Sequence, residues 1–99
     1  MAGSASESAG TGSVTVRYWA AAKSAAGVDS DVLEVTEPTT LDVVVKRVLE
    51  LHADRPKLAD VVAVCSILLG DKPVGARQPE EVCVKPGDTV EILPPFAGG

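Results

Sequence analysis

Hydrophobic and polar positions change their spacing along this chain, and each change marks an element. Val14, Val16 and Tyr18 alternate with Thr15, Arg17 and Trp19, the period-2 pattern of a strand with one buried face. Their β-branched and aromatic character suits a pleated surface. Residues 20–26 (AAAKSAA) are alanine-rich and precede Gly27, which predicts one or two helical turns closed by a glycine C-cap. A second strand is expected over 32–36, after the turn residues Asp29, Ser30 and Asp31, and Pro38 stops its ladder. The spacing then lengthens. Leu41, Val44, Val45, Val48 and Leu51 fall on one stripe with Asp42, Lys46, Arg47 and Glu50 opposite, predicting an amphipathic helix over 41–53. Thr39 or Thr40 is placed to cap it, with Asp42 in its first turn. The run Val43, Val44, Val45 opposes a helix because β-branching restricts χ1, so packing against a sheet must override local preference. Pro56 ends the helix, and 57–62 add a short helical turn.

The second half reads as sheet. Residues 64–69 form an apolar strand, Gly70, Asp71 and Lys72 a tight turn, and 73–76 a brief return. Residues 77–81 are loop and 82–84 a short strand. Lys85-Pro86-Gly87-Asp88 places Pro and Gly where a type II turn requires them. Residues 89–93 are the last strand, with Val90 and Ile92 on one face. One amphipathic helix against a mixed sheet is a two-layer α+β arrangement.

Length and composition narrow what such a fold can do. Ninety-nine residues make one domain. Apart from Met1, Thr11 and a single charge at Glu7, residues 1–13 are Ser, Gly and Ala, so ordering them costs backbone entropy with little to bury, and they read as a disordered N-terminal arm. The arm has neither the basic n-region nor the apolar h-region of a signal peptide. The remaining domain, residues 14–93, buries only roughly 60% of its unfolded surface and has little room for a deep cleft. A formal charge of −5 argues against nucleic acid, because phosphate binding needs clustered Lys and Arg. No run of eighteen apolar residues is present to span a membrane. Cys65 and Cys83 sit inside apolar runs and read as reduced, buried small hydrophobes. With one histidine, His52, the chain offers no zinc-ligand spacing; His52 reads as a partly exposed structural residue at the helix end. The expected compartment is the cytoplasm.

Chemistry is concentrated at the end of the sequence, Leu93-Pro94-Pro95-Phe96-Ala97-Gly98-Gly99. Two prolines prevent the last strand from continuing and hold the exit extended. Beyond them the side chains shrink to two glycines. Without Cβ atoms such a tail (residues 94–99) can thread a channel too narrow for side chains and bring a carboxylate against a nucleotide. That suits a C-terminus acting as the substrate of another enzyme.

Three stretches carry a family resemblance: residues 16–27 (VRYWAAAKSAAG), the turn and strand at 85–92 (KPGDTVEI), and the ending at 93–99 (LPPFAGG). Together they resemble the small, sulfur-carrying subunit of molybdopterin synthase (the MoaD type), within the ubiquitin-like β-grasp sulfur carriers. Trp19 stands where phenylalanine is expected, the arm before Val14 is extra, and the 69–84 region has its own loop length. The resemblance implies a β-grasp domain that binds no cofactor itself and is not catalytic alone. An ATP-dependent activating enzyme converts the Gly99 carboxylate to an acyl-adenylate. A persulfide sulfur then displaces AMP and leaves a terminal thiocarboxylate. The loaded tail, Pro94 to Gly98, enters the large synthase subunit, where sulfur passes to a cyclic pyranopterin precursor. Trp19, Lys23, Leu93 and Phe96 lie in regions the family uses against both partners; the alternative for Trp19 and Phe96 is the rim of the core. Competing functions are sulfur delivery to thiamine, cysteine or tRNA thiolation, a ubiquitin-like modifier joined to lysines through Gly99, and an interaction module with an inert tail.

Overall fold

The computed structural model describes residues 12–95. The opening alternation becomes strand β1 (Ser13–Tyr18), with Val14, Val16 and Tyr18 buried as expected. The strand opens at Ser13, so that residue belongs to the sheet rather than to the arm. Helix α1 (Ala21–Ala26) follows and is closed by Gly27 at φ 81°, whose N–H donates to Lys23 C=O. This glycine is required by its left-handed backbone; a Cβ there would meet only the flexible end of the exposed Arg55 side chain, at 2.6 Å.

Strand β2 (Ser30–Glu34) pairs antiparallel with β1. It starts two residues before the expected 32–36 because Ser30 and Asp31 already face Arg17 and Val16 in the register. Thr39 and Thr40 form a two-residue strand, β3, leading directly into helix α2 (Leu41–Leu51). Thr40 occupies the extended N-cap position, but its hydroxyl donates to the Asp42 carboxylate instead of capping a backbone N–H. The first helical N–H, of Leu41, is satisfied by Val82 C=O. Leu41, Val44 and Val48 are fully buried, each worth about 1.5–3 kcal/mol relative to exposure. This packing is what carries the valine-rich run into a helix.

One member of the expected stripe is elsewhere. Leu51 is 56% exposed, and Leu49 packs against the core instead. The helix ends at Leu51, before the expected Ala53, with His52 at its C-cap. Helix α3 (Lys57–Ala63) follows Pro56, as the short turn at 57–62 anticipated. The backbone N–H groups of Val64 and Cys65 then close α3 on Val61 and Val62. Strand β4 (Ser66–Leu69) consequently begins after Val64, which is exposed.

Strand β5 (Lys72–Pro73) returns through a tight turn, a 3-10 turn covers Pro79–Glu81 within the expected loop, and β6 (Cys83–Val84) pairs with β3. In the next turn Asp88 N–H donates to Lys85 C=O and Gly87 sits at φ 94°, in keeping with type II geometry. Strand β7 (Thr89–Leu93) matches the expected span and buries Val90 and Ile92.

The main sheet has the order β2-β1-β7-β4-β5, with β1 and β7 parallel and the other pairs antiparallel. Its inner face buries β1 and β7 side chains with those of α2 and Leu58 of α3 in one core. This is the expected α+β β-grasp architecture: a mixed sheet packed on one main helix. Both cysteines carry free thiols, yet neither is fully buried. Cys83 is exposed because β6 alternates, with Val82 and Val84 taking the inward positions. Cys65 is half-buried, its thiol donating to Val61 C=O at 3.1 Å and pushed above its ordinary pKa by burial. No helix among the described residues is long and apolar enough to cross a membrane.

Candidate functional site

The strand preceding the tail lies at the heart of the sheet. β7 is flanked by β1 on one side and β4 on the other, with Leu93 opposite Ser66 at its end. The chain therefore leaves the domain from a strand held along both edges. Pro94 is half-buried and Pro95 exposed. Phe96, Ala97, Gly98 and Gly99 lie outside the described residues, as does the arm through Thr11.

Beside this exit stands Trp19. Its backbone N–H donates to Ile92 C=O at 3.1 Å, which places it alongside the Ile92–Leu93 end of β7. Alternation turns Val16 and Tyr18 towards the helix layer and Arg17 and Trp19 towards the other face. Trp19 is 41% exposed, so it is a surface residue and not part of the buried core. Its indole N–H donates to Glu91 Oε1 at 2.7 Å. The Arg17 guanidinium lies over the indole, 4.8 Å from the ring centroid, and its Nη1 is 3.5 Å from Glu91 Oε2. Leu68, paired with Glu91, and Leu93 are the half-buried apolar neighbours on these strands.

Lys23 is exposed on helix α1, whose Ala22 and Ala26 are buried, and its ammonium pairs with Asp29 at 2.8 Å. It shares a shallow depression with Trp19, Ala20, Ser24 and Val28. The fold thus brings Trp19, Lys23, Leu93 and Pro94 to one end of the molecule. Arg17 and Glu91 were missed by sequence reasoning. Their positions on the polar side of two strands are readable, but their contact depends on the parallel β1–β7 register, which pairs them directly.

The opposite, helix-side face holds a second polar cluster. Tyr18 O–H donates to Asp31 Oδ2 at 2.7 Å, and His52 Nε2 lies 2.6 Å from the same oxygen. The His52 ring stands edge-on to Tyr18 with centroids 6.1 Å apart. Burial first, then the bond to Asp31, holds the Tyr18 hydroxyl well above its ordinary pKa of 10.0. His52 is thereby more enclosed than expected, joining the end of α2 to β2. A separate groove of about 940 Å³ runs between α2 and β4–β5, with Leu41, Val45, Leu49, Ile67 and Val74 among its lining residues; it does not include Trp19 or Leu93. No group of three or more His, Cys, Asp or Glu among the described residues is placed to hold a metal ion.

Comparison with known proteins agrees with this architecture. Residues 16–99 match the ThiS family. A molybdopterin synthase sulfur carrier subunit from Chlamydomonas reinhardtii is 28% identical over 86 residues, covering 87% of this chain and 98% of the relative. Small archaeal modifier protein 1 from Methanosarcina acetivorans superposes with a TM-score of 0.70 at 22% identity, covering 89% of this chain and 97% of that one. A putative molybdopterin converting factor subunit 1 from Pyrococcus furiosus superposes with a TM-score of 0.67 at 23% identity, covering 85% and 98%. At these identities the two solved structures speak to the fold, which is the ubiquitin-like β-grasp.

Proposed function

The chain belongs to the ThiS family, and from that premise we propose that it is a sulfur carrier whose Gly99 carboxylate is adenylated, converted to a thiocarboxylate and used to build molybdopterin. The observation carrying this reading is a family match that runs through the Gly98-Gly99 ending. The full-length similarity to a molybdopterin synthase sulfur carrier subunit favours that pathway over thiamine, cysteine or tRNA thiolation.

The chemistry divides between the carrier and its partners. A carboxylate is a poor acyl donor, because oxide is a poor leaving group and the anion repels nucleophiles. Adenylation by an ATP-dependent enzyme supplies the leaving group; a persulfide displaces AMP to give an acyl disulfide, and a thiol of the partner then cleaves its S–S bond, releasing the thiocarboxylate and forming a disulfide. The carrier contributes a terminus without side chains, positioned by Pro94 and Pro95 beyond β7. Acid–base and electrostatic groups belong to the activating enzyme and the large synthase subunit. Trp19, Lys23, Leu93 and Phe96 are assigned to docking.

Intact-mass measurement after incubation with ATP, an activating enzyme and a sulfur donor tests the proposal. The expected product has one oxygen exchanged for sulfur. Adding the large subunit and the pterin precursor then discharges that sulfur. Removing Gly99 or appending a C-terminal tag abolishes loading while leaving the melting temperature unchanged. Thiocarboxylate formation in the tagged protein would sink the mechanism, and stable isopeptide adducts on lysines would identify a modifier instead.

A further inference from the structure

Trp19 is held at every joint although much of its ring faces solvent. Its N–H is fixed by Ile92 C=O, and its own C=O accepts from Ala22 N–H at 3.0 Å. Its side chain is fixed by two more groups. Glu91 divides its carboxylate, one oxygen accepting the indole N–H and the other facing Arg17. Arg17 completes the ring of contacts by lying over the indole. Exposed ion pairs and cation–π contacts stabilise a fold only weakly, by about 0–1 kcal/mol. Two side chains are therefore ordered around a residue whose ring is not sequestered from water.

We propose that Arg17 and Glu91 form a clamp that presents the Trp19 indole to the large synthase subunit in one fixed orientation. They are positioning residues, and the inference rests on the reading that the end of the domain carrying Trp19 and Leu93 docks that subunit. Immobilising an aromatic anchor before encounter removes a rotamer cost that binding would otherwise incur, and aromatic anchors are the side chains on which interface energy concentrates. Arg17 and Glu91 also neutralise one another beside the ring. The surface offered by Trp19, Leu68 and Leu93 therefore suits an apolar partner surface.

Trp19 is the sole tryptophan, so its fluorescence reports on the clamp without ambiguity. Time-resolved anisotropy of the free protein is measured for Glu91→Ala, Glu91→Gln and Arg17→Ala, and affinity for the large subunit for these three, Trp19→Ala and the double variant Trp19→Ala/Glu91→Ala. Glu91→Ala is expected to add a fast indole motion and weaken binding roughly 3- to 10-fold. Glu91→Gln, which keeps an acceptor for the indole N–H, recovers most of both. In the Trp19→Ala background Glu91→Ala costs nothing further, as required of a residue acting through Trp19. Unchanged anisotropy in Glu91→Ala overturns the clamp. So does a strong loss on Trp19→Ala accompanied by a fully additive loss from Glu91→Ala, and in that case the docking reading survives. Unaltered affinity in Trp19→Ala overturns the docking reading and the clamp with it.

Discussion

Tyr18 and Trp19 are adjacent in sequence and each is bound to a carboxylate, yet the two clusters differ in what their contacts accomplish. Tyr18 turns inward and is 3% exposed, sharing Asp31 with His52. Trp19 turns outward and shares Glu91 with Arg17. Inside, the Tyr18 hydroxyl is buried and its two partners are mostly covered, so water replaces a lost partner there only poorly and each hydrogen bond is expensive to break. Outside, water replaces it readily, and the contact chiefly selects one side-chain orientation. The same chemical grouping thus gives stability on one face and preorganisation on the other.

Asp31→Ala should break the comparison most forcefully. It leaves the Tyr18 hydroxyl and a His52 nitrogen without their shared acceptor and is expected to cost about 2–3 kcal/mol, read from urea denaturation. A loss no larger than that of Glu91→Ala would erase the distinction between the clusters.

Alkaline pH provides the next largest effect. Tyr18 titrates above its ordinary value of 10.0 in the folded protein, so the folded state retains a proton that the unfolded state releases. Its contribution is fully present below pH 10.0 and is lost as pH rises towards the folded value. By pH 11 the loss is on the order of 1 kcal/mol. Tyr18 is the sole tyrosine, so tyrosinate absorbance should appear together with unfolding. Tyrosinate formation near pH 10 in the native protein would contradict the assignment.

Ala20 joins the two clusters to helix α1 and sits at φ 51°, a conformation unfavourable for a residue with a Cβ. Ala20→Gly relieves that strain but gives back part of the gain as unfolded-state entropy, leaving a stabilisation of about 0.5–1 kcal/mol. A lower denaturation midpoint would show that the elbow is unstrained. The smallest effect belongs to Glu91→Ala, whose folding free energy should stay within about 0.5 kcal/mol of the parent protein even as the mobility of Trp19 increases. A loss comparable to that of Asp31→Ala would make the clamp a structural element.

Much of this organisation is legible along the chain because it depends on local period. The alternation at Val14, Val16 and Tyr18, the stripe of α2, the Gly27 cap and the turn at Pro86-Gly87 all appear where their spacing places them. Residues whose environment depends on a distant strand are less legible. Ser30 and Asp31 look like turn residues until β1 pairs with them. Cys83 sits in an apolar run but occupies the outward position of a two-residue strand. Leu51 fits the helical stripe but falls where the helix ends and no longer packs inward. The clamp is the extreme case, since Trp19 and Glu91 are 72 positions apart and meet only through the β1–β7 register. Trp19 and the terminal glycines are prominent by residue type alone, whereas the groups that hold Trp19 are ordinary surface charges until the fold brings them together.

The parallel pairing of β1 with β7 also has a mechanical consequence. Their directions place the start of β1 and the end of β7 at opposite ends of a shared ladder. A pull on the tail opposed at the start of β1 acts along the strands, so the ladder's hydrogen bonds bear the load together in shear rather than peeling apart one by one. The antiparallel β4–β7 ladder on the other edge further anchors the strand. Under the proposed function, a partner enzyme that draws in residues 96–99 would pull on a strand secured along both edges, and the load would be shared by the sheet rather than passed to one bond at a time.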